Sequence, residues 1–279
     1  MRPRHHNPSN RFHTKVRTRN TPLIHQIWKS TDLSTYPTRA FHDEWKSATE
    51  PLNYTVKLWT DEDLLNLLQQ RYPWLESTYH GYSHNVQRAD LMRLVVVHAE
   101  GGVYADLDVF PRSMEELDCL RHLSGAKFAP TAGNRGLSNH MFMAPADHPF
   151  IWWALTEAKR RGDVQRRILL PYLRVFWSTG PLMVTAAYSQ YVDMFGPPSS
   201  PVLLDEGFAR TVFGHAAGRS WHGSDGRLLN LVADNFGVGT AFVALGFVTS
   251  LLGTILLGKR LRRRYSKQFC HFVIASRQC

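Results

Sequence analysis

Asn85 to Pro111 reads NVQRADLMRLVVVHAEGGVYADLDVFP. Val86, Ala89, Leu91, Leu94, Val95 and His98 recur at helical spacing, which predicts a buried helix over Asn85–Glu100. Gly101-Gly102 stop it, because glycine adopts backbone conformations that end a helix. Val103–Leu107 then reads as a short apolar strand that runs into two acids, Asp106 and Asp108. Side chains alternate along a strand, so the two carboxylates are expected to point the same way.

Two carboxylates on one side of a buried strand end repel each other unless a positive charge lies between them. A divalent cation meets that need, and hard oxygen ligands suit Mn²⁺ or Mg²⁺. Such an ion bound to a diphosphate makes it a better leaving group. A bare Asp-X-Asp also occurs in solvated turns; the apolar approach of Val103, Tyr104 and Leu107 favours a metal site here. In the preceding helix, Asp90 and Arg93 are three residues apart and share a face, with Arg88 nearby. Spacing alone favours a surface salt bridge for that pair.

Outward from this stretch, strands and helices alternate. Leu23–Trp28 reads as a strand, Thr38–Ala48 as an amphipathic helix and Val56–Trp59 as a second strand. Thr60 looks like an N-cap with Asp63 at the third helical position, opening a helix that Pro73 ends. The pattern predicts an α/β fold, a mostly parallel sheet with helices on both faces. Such sheets bind ligands beyond the carboxyl ends of their strands, which is where Asp106 and Asp108 fall.

The 279 residues carry a formal net charge of +10, but the surplus sits at the ends. Residues 1–19 hold six basic side chains and residues 259–279 hold seven, with no acid in either. The remaining 20 basic residues face 23 acids, so the body is slightly acidic and a nucleic-acid partner is disfavoured. Three cysteines, Cys119, Cys270 and Cys279, imply no disulfide framework. Asn53-Tyr54-Thr55 is a candidate glycosylation site.

Gly237–Gly258 runs for 22 residues without a charge, a length of about 33 Å as a helix and enough to span a bilayer. It ends at Lys259-Arg260-Leu261-Arg262-Arg263-Arg264, which reads as a cytosolic stop signal with the body lumenal. Residues 1–20 contain no apolar stretch and so offer no signal for that orientation. The expected division is a basic segment over 1–20, a catalytic body over 21–234, a membrane helix over 237–258 and a basic tail over 259–279.

His25–Trp28 (HQIW), Trp59–Asp61 (WTD), Gln87–Arg93 (QRADLMR) and Gly101–Asp108 (GGVYADLD) stand in the order and spacing that resemble glycosyltransferase family 32, with its DXD sugar-binding region. The likeness covers roughly Pro22–Val232. Gly136–Phe150, Ser178–Val184 and Ser220–Gly226 are similar to the branch of mannosyl-inositol phosphorylceramide synthases.

The resemblance implies a GT-A-like fold and retaining transfer of mannose from GDP-mannose, with Mn²⁺, to the inositol of inositol phosphorylceramide in the Golgi membrane. It makes Asp106 and Asp108 ligands of the metal and of the donor diphosphate, with His222 completing the metal shell. It makes Asp90 and Arg93 donor-sugar contacts, and extends the donor site to Trp28, Arg88, Tyr104 and Trp221. Asn139 and His140 would face the sugar or acceptor, and Gly180-Pro181 would open a helix. A regulatory membrane subunit is a candidate partner. Two alternatives stay open: a Golgi mannosyltransferase acting on N-glycans of proteins, and a non-catalytic membrane assembly subunit.

Overall fold

A computed structural model of the chain describes residues 22–131, 136–196, 200–216 and 246. The expected membrane run Gly237–Gly258, both basic ends, and the site candidates Trp221 and His222 lie outside these residues. Among the described residues, no helix is long and apolar enough to cross a membrane. The chain divides into two compact units, Met1–Trp221 and His222–Cys279, and the elements below belong to the first.

That unit is an α/β sandwich built on a six-stranded sheet. Strand β1 (Leu23–Ile27) leads through helix α1 (Ala40–Thr49) to β2 (Thr55–Trp59). Helices α2 (Asp61–Arg71), α3 (Pro73–Gly81) and α4 (Asn85–Glu100) follow, and then β3 (Gly102–Ala105). A short strand β4 (Val109–Pro111), α5 (Met114–His122), β5 (Lys127–Pro130) and β6 (Leu137–Ala144) come next. The unit is completed by α6 (Pro149–Gly162), α7 (Pro171–Ser178), α8 (Pro181–Phe195), β7 (Val202–Leu203), α9 (Glu206–Val212) and β8 (Phe213–His215).

The sheet order is β2-β1-β3-β6-β5-β7. β1 pairs in parallel with β2 and β3, and β5 with β7; β6 alone runs against its neighbours β3 and β5. The predicted mostly parallel sheet is thus present with one reversed strand. From β1 the chain moves first to β2 on one side and then to β3 on the other. The carboxyl ends of β1 and β3 therefore flank a topological switch point, where open α/β sheets leave a crevice.

Each strand's alternation feeds two cores. Tyr104, Phe128 and Phe142 pack under α2, α4, α6 and α8 on one face. Ile24, Val103, Ala105 and Met141 pack under α1, α5 and α9 on the other. Lying between the sheet and other helices, α4 is buried nearly all along its length, including Gln87, Asp90 and Arg93. The surface salt bridge that spacing favoured for Asp90 and Arg93 is therefore corrected to a buried one, the two side chains being 6% and 8% exposed.

Local chemistry sets the boundaries. The capping box at Thr60 forms as predicted: Thr60 Oγ1 accepts from the Asp63 N–H and Asp63 Oδ2 accepts from the Thr60 N–H. α4 ends where Gly101 and Gly102 take φ of +68° and +104°. A side chain on Gly102 would meet the carbonyl oxygen of Leu23 at 2.6 Å, so this approach of helix end to sheet requires glycine. Two expectations shift. Pro73 opens α3 as well as closing α2, since proline is well placed at a first helical position. α1 spans Ala40–Thr49 rather than starting at Thr38.

Candidate active site

β3 ends at Ala105, two residues short of the predicted Leu107. Asp106 still continues the ladder, its N–H donating to His140 O at 2.9 Å. The chain then turns, with the Val109 N–H on Asp106 O at 3.0 Å. Asp108 is thus carried by a tight turn and not by strand alternation, which corrects the reason given for its direction. Both acids nevertheless line one cavity of about 520 Å³ at the switch point, a volume suited to a small organic ligand.

Trp28, Arg88, Arg93 and Tyr104 line the same cavity, so six of the residues singled out from the sequence meet there. Trp28 follows the end of β1 and is half-buried, its ring edge-on to Tyr36 at 4.6 Å; it is a wall of the cavity, not a core residue. Arg88 is braced by the Tyr82 carbonyl at 3.1 Å. Lys29, Tyr36, Asp61, Tyr79 and Asn85 join the lining.

Beneath this wall lies a buried charged chain. Arg93 reaches Asp106 Oδ1 at 3.0 Å and Asp90 Oδ1 at 3.3 Å, and donates to the Asn139 carbonyl at 3.0 Å. Asp90 accepts from Thr179 Oγ1 at 2.8 Å and from Asn139 Nδ2 at 3.2 Å. Asp90 is absent from the cavity lining, and Asn139 is buried against it, so both support Arg93 from behind. The Tyr104 hydroxyl donates to Asp106 Oδ1 at 2.8 Å. Gly180 caps α8 and Pro181 opens it, as the sequence predicts.

The electrostatics follow from this crowding. Burial pushes the Asp106 carboxyl up to about 6; Arg93 opposes the rise and the charge of Asp108 adds to it. Burial raises Asp90 too, against Arg93, Thr179 and Asn139. Burial works against the Arg93 cation, but Asp106, Tyr104, Asp90 and Asp108 together raise its pKa above the ordinary value. The Tyr36 phenol is pushed up to about 12 by burial, then by Asp108 and Asp106. The cavity floor is therefore negative, and two hard carboxylates on it fit a small divalent cation. Among the described residues, no three His, Cys, Asp or Glu side chains gather for a metal.

Sequence reasoning missed His215. The two-stranded sheet β4–β8 brings it to Asp108, Nε2 to Oδ2 at 3.3 Å, and the Ala216 N–H donates to Asp108 O at 2.8 Å. His140 stacks on its ring at 4.5 Å, so it stands next to the acids. Burial alone would lower His215, yet the bond and charge of Asp108 raise it overall, while burial and then His215 drop His140 to about 3. No local pattern marks Phe213-Gly214-His215, because the strand exists only through its pairing with Val109–Pro111.

Aromatic and cationic groups thus wall one cavity above Asp106 and Asp108. The class of the protein is set by comparison with known proteins: it is a glycosyltransferase. Residues 39–120 match the family model described as glycosyltransferase sugar-binding region containing DXD motif. The chain is similar to inositol phosphoceramide mannosyltransferase 1 of Schizosaccharomyces pombe, 29% identical over 246 residues, which cover 87% of this chain and 75% of that protein. It is 28% identical over 236 residues to mannosyl phosphorylinositol ceramide synthase SUR1 of Saccharomyces cerevisiae, covering 81% of this chain and 57% of that one. Among solved structures, the PaToxG glycosyltransferase matches with a TM-score of 0.45 and 19% identity, over 62% of this chain and 70% of that one.

Proposed function

We propose that the protein is a GT-A-like retaining mannosyltransferase that moves mannose from GDP-mannose to inositol phosphorylceramide at a Golgi membrane. The observation that carries the reading is the meeting of Asp106, Asp108, Arg88, Arg93 and Trp28 on one cavity. The donor and acceptor are taken from what the similar yeast proteins are named for.

In this reading the aromatic pair Trp28 and Tyr36 receives the nucleobase, where ring faces are attractive to it. Arg88 and Lys29 provide positive charge for the diphosphate. Asp106 and Asp108 would hold Mn²⁺ or Mg²⁺, which would neutralise the charge that develops on the leaving diphosphate. Arg93, fixed by Asp90 and Asn139, keeps the Asp106 carboxylate in one orientation and faces the sugar. The bond from the sugar anomeric carbon to the diphosphate breaks as the inositol hydroxyl oxygen bonds to that carbon on the same face. The hydroxyl proton passes to a diphosphate oxygen. Leu107 and Tyr104, both buried, keep water from the floor of the site.

Incubation of the full chain with labelled GDP-mannose, Mn²⁺ and inositol phosphorylceramide should place label in the lipid. Thermal shifts with Mn²⁺ should be larger for GDP than for UDP. Label entering protein N-glycans and not lipid, or equal shifts for both nucleotides, would overturn the acceptor or the donor respectively.

A further inference from the structure

Between α6 and α7 the chain runs Asp163-Val164-Gln165-Arg166-Arg167-Ile168-Leu169-Leu170, a segment that does not line the cavity. Leu169 is 87% exposed, more than any other large apolar side chain among the described residues. Arg166 and Arg167 are exposed beside it. The loop is held in this shape. Arg174 of α7 donates to the Ile168 carbonyl twice, through Nε at 3.0 Å and a terminal nitrogen at 2.8 Å. Gln165 is buried and accepts a hydrogen bond from Gln87, the neighbour of Arg88 on the first turns of α4. The exposed leucine is therefore keyed to the helix that walls the cavity.

Charge points to the occupant. Lys159 to Arg174 contains six basic residues and one acid, Asp163. Glu157 pairs with Arg160 and Arg161, the Ile168 carbonyl takes Arg174, and Arg166 and Arg167 are exposed within the loop itself, next to Leu169 in sequence. An apolar side chain flanked by arginines suits the boundary between headgroups and acyl chains of an anionic bilayer. We infer that Arg166, Arg167 and Leu169 form a membrane-contact loop for anionic lipid, tied through Gln165 to the helix that walls the cavity. The inference rests on the lipid-acceptor reading and adds the surface by which such an acceptor is met.

The test uses the full chain with Cys119, Cys270 and Cys279 replaced by serine and a polarity-sensitive fluorophore on Leu169→Cys. After reconstitution into phosphatidylcholine vesicles containing phosphatidylinositol, the emission should shift to the blue and be quenched by spin-labelled lipid. Arg166→Glu with Arg167→Glu should abolish the quench, since two basic groups contribute about 30-fold in affinity for such a surface. A probe on Leu123→Cys, 57% exposed after α5, should stay solvent-like. A solvent-like probe at 169 in anionic vesicles, or equal quenching at 169 and 123, overturns the loop. Label entering lipid while the probe at 169 is unquenched also overturns it. Quenching at 169 without label entering lipid supports the loop and sinks the acceptor reading.

Discussion

At the amino end of β3, Gly102 sits where any side chain would strike Leu23 O at 2.6 Å, and His25 donates through Nε2 to Gly101 O at 2.7 Å. At the carboxyl end, Asp106 and Asp108 face a cavity, with Arg93 and Tyr104 bonded to Asp106. α4, running antiparallel to β3, divides the same way: Gln87, Arg88, Asp90 and Arg93 lie in its first nine residues, and Leu94–Ala99, which follow, are mostly apolar and buried. One pole is shaped by close packing, its ion pair Lys57–Glu100 at 2.9 Å lying partly exposed; the other buries its charges at the expense of solvation. Charges that cost desolvation are kept where a ligand can repay them, and the opposite pole supplies the rigidity.

The strongest way to break this division is at the acids. Asp108→Asn should lower sugar transfer by about 10³-fold or more, while the urea midpoint barely moves. Normal turnover for Asp108→Asn and Asp106→Asn, with donor and metal saturating, would remove the charged pole from the mechanism. Arg93→Met should act on both fold and activity. It strands Asp90 and Asp106 without their cation and should cost about 3 kcal/mol in urea unfolding. Adding Asp90→Asn to Arg93→Met should return part of that stability and none of the activity. Independent, additive effects of the two changes would mean that they are not one network.

The sequence carried much of the packed pole and part of the charged one. α4 matches its predicted limits, because an apolar face and two glycines are local signals. The Thr60 capping box is likewise a local event, complete within four residues. Asp106 and Asp108 stood out by proximity, although a turn, unseen in the periodicity, orients the second. What was illegible joins residues far apart: Thr179 to Asp90 across 89 positions, Arg93 to Asn139 across 46, His215 to Asp108 through a strand pair. Such contacts are decided by how β6 reverses beside β3 and by where α7 ends. Neither leaves a trace in local spacing.

The packed pole yields smaller effects that should leave chemistry intact. Gly102→Ala forces a left-handed φ of +104° on a residue with a side chain and a clash with Leu23. It should cost about 2 kcal/mol of stability, with kcat unchanged for the folded fraction. A matching loss of kcat would mean that the two poles are mechanically coupled.

The smallest effect concerns protons at that same pole. His148 caps α6, its Nδ1 accepting from the Phe150 N–H at 3.2 Å. Burial, then His98 and Lys127, bring its pKa down from 6.5 to about 4. Burial also lowers His98, which holds the Tyr72 hydroxyl through Nδ1 at 2.7 Å. A histidine with a depressed folded pKa binds its proton more readily when unfolded, so the unfolded chain takes up more protons as pH falls. The stability is fully present above pH 6.5 and is lost from there down towards pH 4. At pH 5, His148 should account for a loss of about 1 kcal/mol, because its ring is partly solvated. His148→Asn keeps an acceptor at the cap and removes the titration. Its thermal midpoint should thus match wild type at pH 7.5 and exceed it at pH 5 by a few degrees. An equal midpoint deficit at both pH values would show that His148 acts through packing and not through its proton.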